Sequence, residues 1–358
     1  MIINNIKVRN FRCIHNAELE FNKNLNIVVG NNGQGKTSLL ESIYLLAFTK
    51  SHKTNFEREV IMTGCDFTKV NAAVDFSETK KDYSIVLTKK TKKTKINDIE
   101  QKKLSEYIGK INVIMFSPED LRIIKGDPNI KRKFIDLELG QTSPIYIFNL
   151  LMYKKILKQR NELLKKIQKN EIDDYILLDV ITEQLSQYAS KIVAEREIFI
   201  ETVNSIINSI HRSLTKDLEK IRIEYKKTYK DDLFEELKNK YKYDILVGST
   251  SMGPHRDDLV IYLNDEDISI YGSQGQQRTA VLSIKLSLIE FVKSKINEYP
   301  VLLLDDVFSE LDSTRLESLI EYIKRNIQTF ITTTDISFIN DELREKANFY
   351  YVEKGNIR

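Results

Sequence analysis

The sequence predicts an α/β protein whose sheet-bearing domain is assembled from both ends of the chain and interrupted by a helical lobe. Three observations carry this. Near the N-terminus an apolar strand, a glycine-rich turn and a helical apolar pattern follow one another across residues 25–47. Near the other end, Val301-Leu302-Leu303-Leu304 runs directly into Asp305-Asp306. In the middle, Pro144 is the last proline before Pro254 and no glycine lies between them until Gly248, while apolar residues keep a helical period.

The elements follow in order. Residues 2–8 alternate apolar and polar like a half-buried strand, and residues 25–29 form a short strand ending at Gly30. Leu39, Leu40, Ile43, Leu46 and Ala47 recur at the spacing of an amphipathic helix. Residues 70–76 and 83–88 alternate again, and a strand at 112–116 stops at Ser117-Pro118. Two long helices, 145–170 and 172–212, come next, with more helix near 231–240. Long helices adjacent in sequence pack as an antiparallel pair. The last third alternates strand and helix: strand 260–263, helix 278–297, strand 301–304, helix 315–326, strand 329–332 and strand 349–352. The predicted domains are therefore a head (lobe I) of residues 1–143 with 244–358, and a helical arm (lobe II) of residues 144–243.

A chain of 358 residues is long enough for one large α/β domain with such an insertion. The net charge is only +3, so any nucleic-acid surface must come from local clusters of lysine and arginine. Cys13 and Cys65 stand outside any CxxC pair, which argues against zinc and against a disulfide framework and fits a reducing cytoplasm. Residues 1–11 lack the apolar core of a signal peptide, and no apolar run approaches the ~20 residues that span a bilayer. The expectation is a cytoplasmic protein without a membrane segment.

Gly30-Asn31-Asn32-Gly33-Gln34-Gly35-Lys36-Thr37 has the spacing of a phosphate-binding P-loop, between a strand and a helix as that motif requires. Its glycines let backbone N–H groups close around phosphate oxygens, and the helix N-terminus favours an anion. Lys36 would reach the β- and γ-phosphates and the Thr37 hydroxyl would hold Mg²⁺, so ATP and Mg²⁺ are the expected cofactors. The apolar strand before Asp305 and Asp306 places two carboxylates at a strand's C-terminal end, where open α/β sheets bind ligands. Asp305 is the expected Mg²⁺ carboxylate and Asp306 the group that polarises the attacking water. Ser273-Gln274-Gly275-Gln276-Gln277 precedes the helix leading into that strand. Ser273 and Gln276 fit a helix capping box, and a capped helix N-terminus is also an anion site.

Those three motifs, in that order, resemble the ABC-type ATPases. There the serine and glycine at positions 273 and 275 would cap the γ-phosphate of an ATP held by a second subunit, and Ser309-Glu310-Leu311-Asp312 resembles the interface D-loop. Further stretches resemble the RecF family of bacterial DNA-repair ABC ATPases. They are Asn10-Phe11-Arg12, Phe116-Ser117-Pro118-Glu119-Asp120-Leu121, Lys125-Gly126-Asp127-Pro128, Arg132-Lys133-Phe134-Ile135-Asp136, Gly253-Pro254-His255-Arg256-Asp257-Asp258 and the paired aspartates. The resemblance implies an ABC-type P-loop ATPase head with an inserted helical lobe. It also implies an ATP-dependent homodimer that binds gapped duplex and single-stranded DNA, with RecO and RecR as partners in RecA loading and the SOS response. It places Arg12 near the nucleotide and Glu119 in the Q-loop position. Two departures stand out. No histidine occupies the switch position near Thr332-Thr333-Thr334-Asp335, and Asp306 stands where transporters carry glutamate. His255 and Arg256 have no second ligand cluster nearby and read as structural or interface residues.

Two basic clusters are candidates for phosphate contact. Residues 80–95 hold seven lysines, and residues 154–169 hold six lysines and Arg160. Neither is interleaved with aromatic residues, so contact would be to phosphates and independent of base sequence. The expected activity is a weak ATPase stimulated by DNA. The alternatives are an SMC-like or other ABC subunit that does not act on DNA, and a scaffold that binds ATP without hydrolysing it.

Overall fold

A computed structural model describes every residue except 55, 78, 217, 311, 312, 325, 326 and 337–343. The chain divides into two compact units. The first comprises Met1–Asp120, Ser213–Asp217 and Leu282–Arg358, and the second comprises Leu121–Arg212 and Leu218–Val281.

The first unit holds two six-stranded sheets. One is antiparallel, in the order β2 (Ile14–Glu20), β1 (Ile2–Phe11), β4 (Phe67–Asp75), β5 (Lys80–Thr88), β6 (Lys92–Ile96) and β7 (Ile99–Glu100). The other runs β15 (Asn356–Ile357), β14 (Ala347–Glu353), β3 (Leu25–Val29), β13 (Thr329–Thr333), β12 (Val301–Asp305) and β8 (Val113–Phe116). All its strands except β15 are mutually parallel. Val29 lies beside Thr333 and Asp305 beside Thr332, so the ends of β3 and β12 open on one edge of the sheet. That is where parallel sheets place their ligands.

The helix Lys36–Phe48 touches strands of both sheets. Its sequence pattern suggests an amphipathic helix with a wet face, and the structure corrects this. Leu39, Leu40, Ile43, Leu45 and Leu46 are fully buried, and so is the polar Ser42, whose hydroxyl donates to the Leu39 carbonyl. A helix lying between two sheets has no solvent face to keep polar. β12 is likewise buried along its whole length, as an apolar run in a parallel sheet demands.

The second unit contains the arm. Pro144–Gln168 begins on a Ser143 cap that accepts from the Tyr146 N–H, with Pro144 in the first helical position. The helix Tyr175–Thr215 runs back antiparallel to it for most of its length. The Arg196 Nε meets the Tyr146 hydroxyl at 2.9 Å, and at the far end the Arg160 Nε donates to Thr182 Oγ1 at 2.9 Å. Leu163, Leu164, Ile167, Leu178 and Tyr241 close that end with an apolar cluster. A three-stranded antiparallel sheet, β11 (Glu266–Asp267), β10 (Asp258–Leu263) and β9 (Ile221–Lys226), completes the unit. The unit is wider than residues 144–243 because the helix Pro128–Gly140 packs on β10 and on the first arm helix. Among the described residues, no helix is long and apolar enough to cross a membrane.

Candidate nucleotide-binding site

The P-loop joins β3 to the buried helix. Gly33 and Gly35 both have positive φ, 78° and 115°, a conformation that side-chain-bearing residues rarely adopt. Gly30 has a different reason to be glycine, since a Cβ there would lie 2.5 Å from the Val352 carbonyl oxygen. The Lys36 ammonium donates to the Gly30 carbonyl at 2.6 Å and to the Asn31 carbonyl at 3.1 Å, with Asn32 Oδ1 at 3.5 Å. Burial holds its pKa below the usual lysine range, with the Asp306 and Asp305 carboxylates pulling the other way.

Across the sheet edge, the Thr37 hydroxyl donates to Asp305 Oδ1 at 2.8 Å. The Thr332 hydroxyl, on the neighbouring strand, donates to the same oxygen at 2.8 Å and accepts from the Asp306 N–H at 2.9 Å. Asp306 itself is left-handed, with φ 54°, where the chain turns out of β12. Aspartate tolerates that region better than most residues. Lys36, Thr37, Asp305 and Asp306 thus meet at one place, as their motifs suggest. Thr332 was not legible, because three threonines stand in a row and only the strand pairing selects the first of them.

Arg12, with φ 51°, is committed to Glu41 on the P-loop helix. Its Nε and Nη2 reach the two carboxylate oxygens at 3.0 and 2.8 Å, and Nη1 donates to the Glu59 carbonyl at 2.8 Å. Burial raises the Glu41 carboxyl, but Arg12 and the Ser51 hydroxyl outweigh it and leave its pKa lowered. His52 follows in the same loop, edge-on to Tyr44 at 5.4 Å. Burial lowers its pKa against the pull of Glu41, Asp305 and Glu119. Glu119 is exposed on the short turn Pro118–Leu121, whose Asp120 pairs with Lys285 at 3.0 Å. Neither Glu41 nor His52 carries a sequence signal of its own.

In the second unit, the helix Gln274–Ile296 starts directly after Ser273. The capping box is reciprocal: the Ser273 N–H donates to Gln276 Oε1 at 2.8 Å, and the Gln276 N–H donates to Ser273 Oγ at 3.2 Å. Gly275 lies in the first turn, its carbonyl accepting from Thr279 Oγ1 at 2.8 Å. Of the D-loop segment, Leu311 and Asp312 lie outside the described residues, as do the side chains of Ser309 and Glu310. Thr334 and Asp335 lie beyond β13, and Thr333 Oγ1 donates to the Asp335 carbonyl at 2.6 Å.

The basic clusters are less open than their sequences suggest. Lys80, Lys89, Lys92 and Lys93 pair with Asp75, Asp66, Glu57 and Glu100. Arg160 does not belong to the surface of the arm at all. It is fully buried, bonded to Asp244 at 2.8 Å and to Thr250 Oγ1 at 2.7 Å, because its helical position faces the neighbouring elements. Lys155, Lys165 and Lys166 remain exposed on the same helix. His255 is a structural residue. Its Nδ1 meets the Tyr153 hydroxyl at 2.6 Å, and its Nε2 donates to the Thr250 carbonyl at 3.1 Å.

Fold, P-loop, paired aspartates and capped helix together define an ABC-type P-loop ATPase head. A family model described as the RecF/RecN/SMC N-terminal domain matches residues 2–357, and the chain belongs to that family. It is 42% identical over 369 residues to the DNA replication and repair protein RecF of Enterococcus faecalis, covering 100% of this chain and 98% of the relative. Identity to a RecF of Bacillus cereus is 41% over 368 residues, with the same coverage. A solved structure of the recombination mediator RecF with ATP, in the RecFOR pathway, superimposes with a TM-score of 0.93. It is 32% identical and covers 100% of this chain and 97% of its own. The Pyrococcus furiosus Smc head shares the fold at a TM-score of 0.57 and 15% identity.

Proposed function

We propose that this protein is an ATP-dependent DNA-binding protein of recombinational repair and replication restart. It closes as a dimer on ATP, binds DNA at single-strand gaps, and supports RecA loading and the SOS response with RecO- and RecR-type partners in the cytoplasm. The observation that carries the reading is the meeting of Lys36, Thr37 and Asp305 at the mouth of the parallel sheet. The full-length likeness to proteins named for DNA replication and repair supports its biological half.

The roles follow from chemistry. Residues Gly30, Asn31, Asn32, Gly33, Gln34 and Gly35 wrap the phosphates with backbone N–H groups, and Lys36 exchanges its loop carbonyls for phosphate oxygens. Arg12, braced by Glu41, is the cation on the nucleotide's flank. Thr37 and Asp305 fit Mg²⁺. Both offer hard oxygens, brought together at 2.8 Å, and such oxygens are the ligands Mg²⁺ takes. These two residues would hold the ion, which would supply positive charge beside the phosphates. Asp306 orients the attacking water and takes its proton, fixed through its N–H on Thr332. Ser273 and Gly275 offer a capped helix N-terminus to the γ-phosphate bound by a second copy.

Lobe I, residues 1–143 and 244–358, is the ATPase head, and lobe II, residues 144–243, is the arm whose exposed lysines meet DNA phosphates. The alternative of a non-hydrolysing scaffold is separated by phosphate release. The direct test is light scattering with ATP. The native chain is expected to double its mass and Lys36→Met to stay monomeric; an unchanged ATP response in that variant would refute the assignment.

A further inference from the structure

The last strands of the chain reach back to the P-loop. β14 runs parallel beside β3, with Tyr351 opposite Val29, and turns into β15 through Lys354 and Gly355. Both turn residues have positive φ, 48° and 79°, the geometry of the tight hairpin turn whose twist matches its strands. Such a turn leaves its two central N–H groups outside the ladder. Here both go to one residue. The Lys354 N–H donates to Gln34 Oε1 at 2.7 Å, and the Gly355 N–H donates to the Gln34 carbonyl at 2.9 Å.

The turn is wedged in place. A Cβ on Gly355 would lie 2.0 Å from the Cys13 carbonyl oxygen, and one on Gly35 would lie 2.7 Å from Cys13 Sγ and 3.6 Å from Gly355 Cα. Val352 closes on Gly30 from the same side. The Cys13 end of β2, the turn and the P-loop therefore touch with no room for a side chain between them.

We infer that the β14–β15 turn is a positioning element for phosphate binding, acting through Gln34. The inference rests on the P-loop reading above. A planar trans peptide points its C=O and its N–H in opposite directions. With the Gln34 carbonyl drawn to Gly355, the N–H of Gly35 faces away from the hairpin, to the inner side of the loop. The turn thus sets the direction of one phosphate donor, and the second bond, to the Gln34 side chain, holds that peptide from flipping. Lys354 takes part through its backbone, and its side chain is exposed.

The test compares the full-length protein with Gln34→Met, Gly355→Ala and Lys354→Gly, measuring the Kd of a fluorescent ATP analogue and the melting temperature without nucleotide. Gln34→Met keeps the length of the side chain and removes its acceptor. It is expected to weaken binding roughly five- to tenfold, the worth of about one hydrogen bond, with an unchanged apo melting temperature. Gly355→Ala is expected to weaken binding at least as much. Lys354→Gly, which keeps the N–H, is expected to bind like the native chain. Native-like Kd values in both Gln34→Met and Gly355→Ala would overturn the inference, as would a lowered melting temperature with unchanged Kd. A Lys354→Gly defect equal to that of Gln34→Met would assign the effect to the lysine side chain and also overturn it. Failure of the native chain to bind the analogue would instead refute the nucleotide site itself.

Discussion

Thr37 and Asp305 stand 268 residues apart in sequence and meet at 2.8 Å, hydroxyl to carboxylate. One belongs to the first turn of the P-loop helix and the other ends an apolar strand near the C-terminus. Their contact is what makes a single site from the two ends of the chain. Thr332 donates to the same carboxylate oxygen and accepts from the Asp306 N–H, so one hydroxyl ties the two aspartates to the neighbouring strand.

The role proposed for Asp306 is tested by removing its charge. Asp306→Asn keeps the backbone N–H that donates to Thr332 and removes the carboxylate that would take the proton. It should slow ATP turnover about 10²–10⁴-fold while ATP binding stays near native. Phosphate release and equilibrium binding measured side by side check this; native turnover would remove Asp306 from the role of base.

Ser273→Arg places a long cation at the start of the helix Gln274–Ile296. ATP binding at the P-loop should persist, and ATP-dependent dimerisation should be lost. A dimer of this variant in light scattering would reduce the motif to a helix cap.

Arg160 and Asp244 are fully buried partners. Asp244→Ala leaves the guanidinium uncompensated and should destabilise the arm unit by about 3–5 kcal/mol. Urea unfolding followed by circular dichroism reads this directly, and a change below ~1 kcal/mol would mean that water reaches Arg160.

His255 titrates with the opposite consequence to a surface histidine. Burial is the main cause that lowers its pKa to about 4, and Arg256 and Arg132 add to it. Folded, it stays neutral down to that value, whereas the unfolded chain protonates it near its ordinary 6.5. Its contribution to stability is therefore fully present above about pH 6.5 and is lost as pH falls toward about 4, up to ~3 kcal/mol in all. Native protein should lose stability more steeply than His255→Gln between those limits. Parallel slopes in urea titrations at about pH 4.5 and 7 would contradict the assignment.

The sequence carried those parts of the site whose chemistry lies in consecutive residues. Gly30 to Thr37, Asp305-Asp306 and Ser273 to Gln277 are each readable because a loop or a helix start needs its residues adjacent. Partners brought in by tertiary pairing are not readable: Thr332 across β12, Glu41 beneath Arg12, and the Lys354-Gly355 turn beneath Gln34. Arg160 is misleading for a related reason, since a charge among lysines reads as surface until the helix face is known. β2 and β9 do not announce themselves as strands. Half of the residues in Ile221–Lys226 are charged, and its alternation shows only once β10 lies beside it.

The proposed function couples ATP turnover at this site to DNA. Steady-state phosphate release, with and without gapped duplex DNA at two salt concentrations and with Lys36→Met as background, reads that coupling. DNA is expected to stimulate turnover and salt to suppress the stimulation, as contact through phosphates requires. Turnover indifferent to DNA at both salts would contradict it.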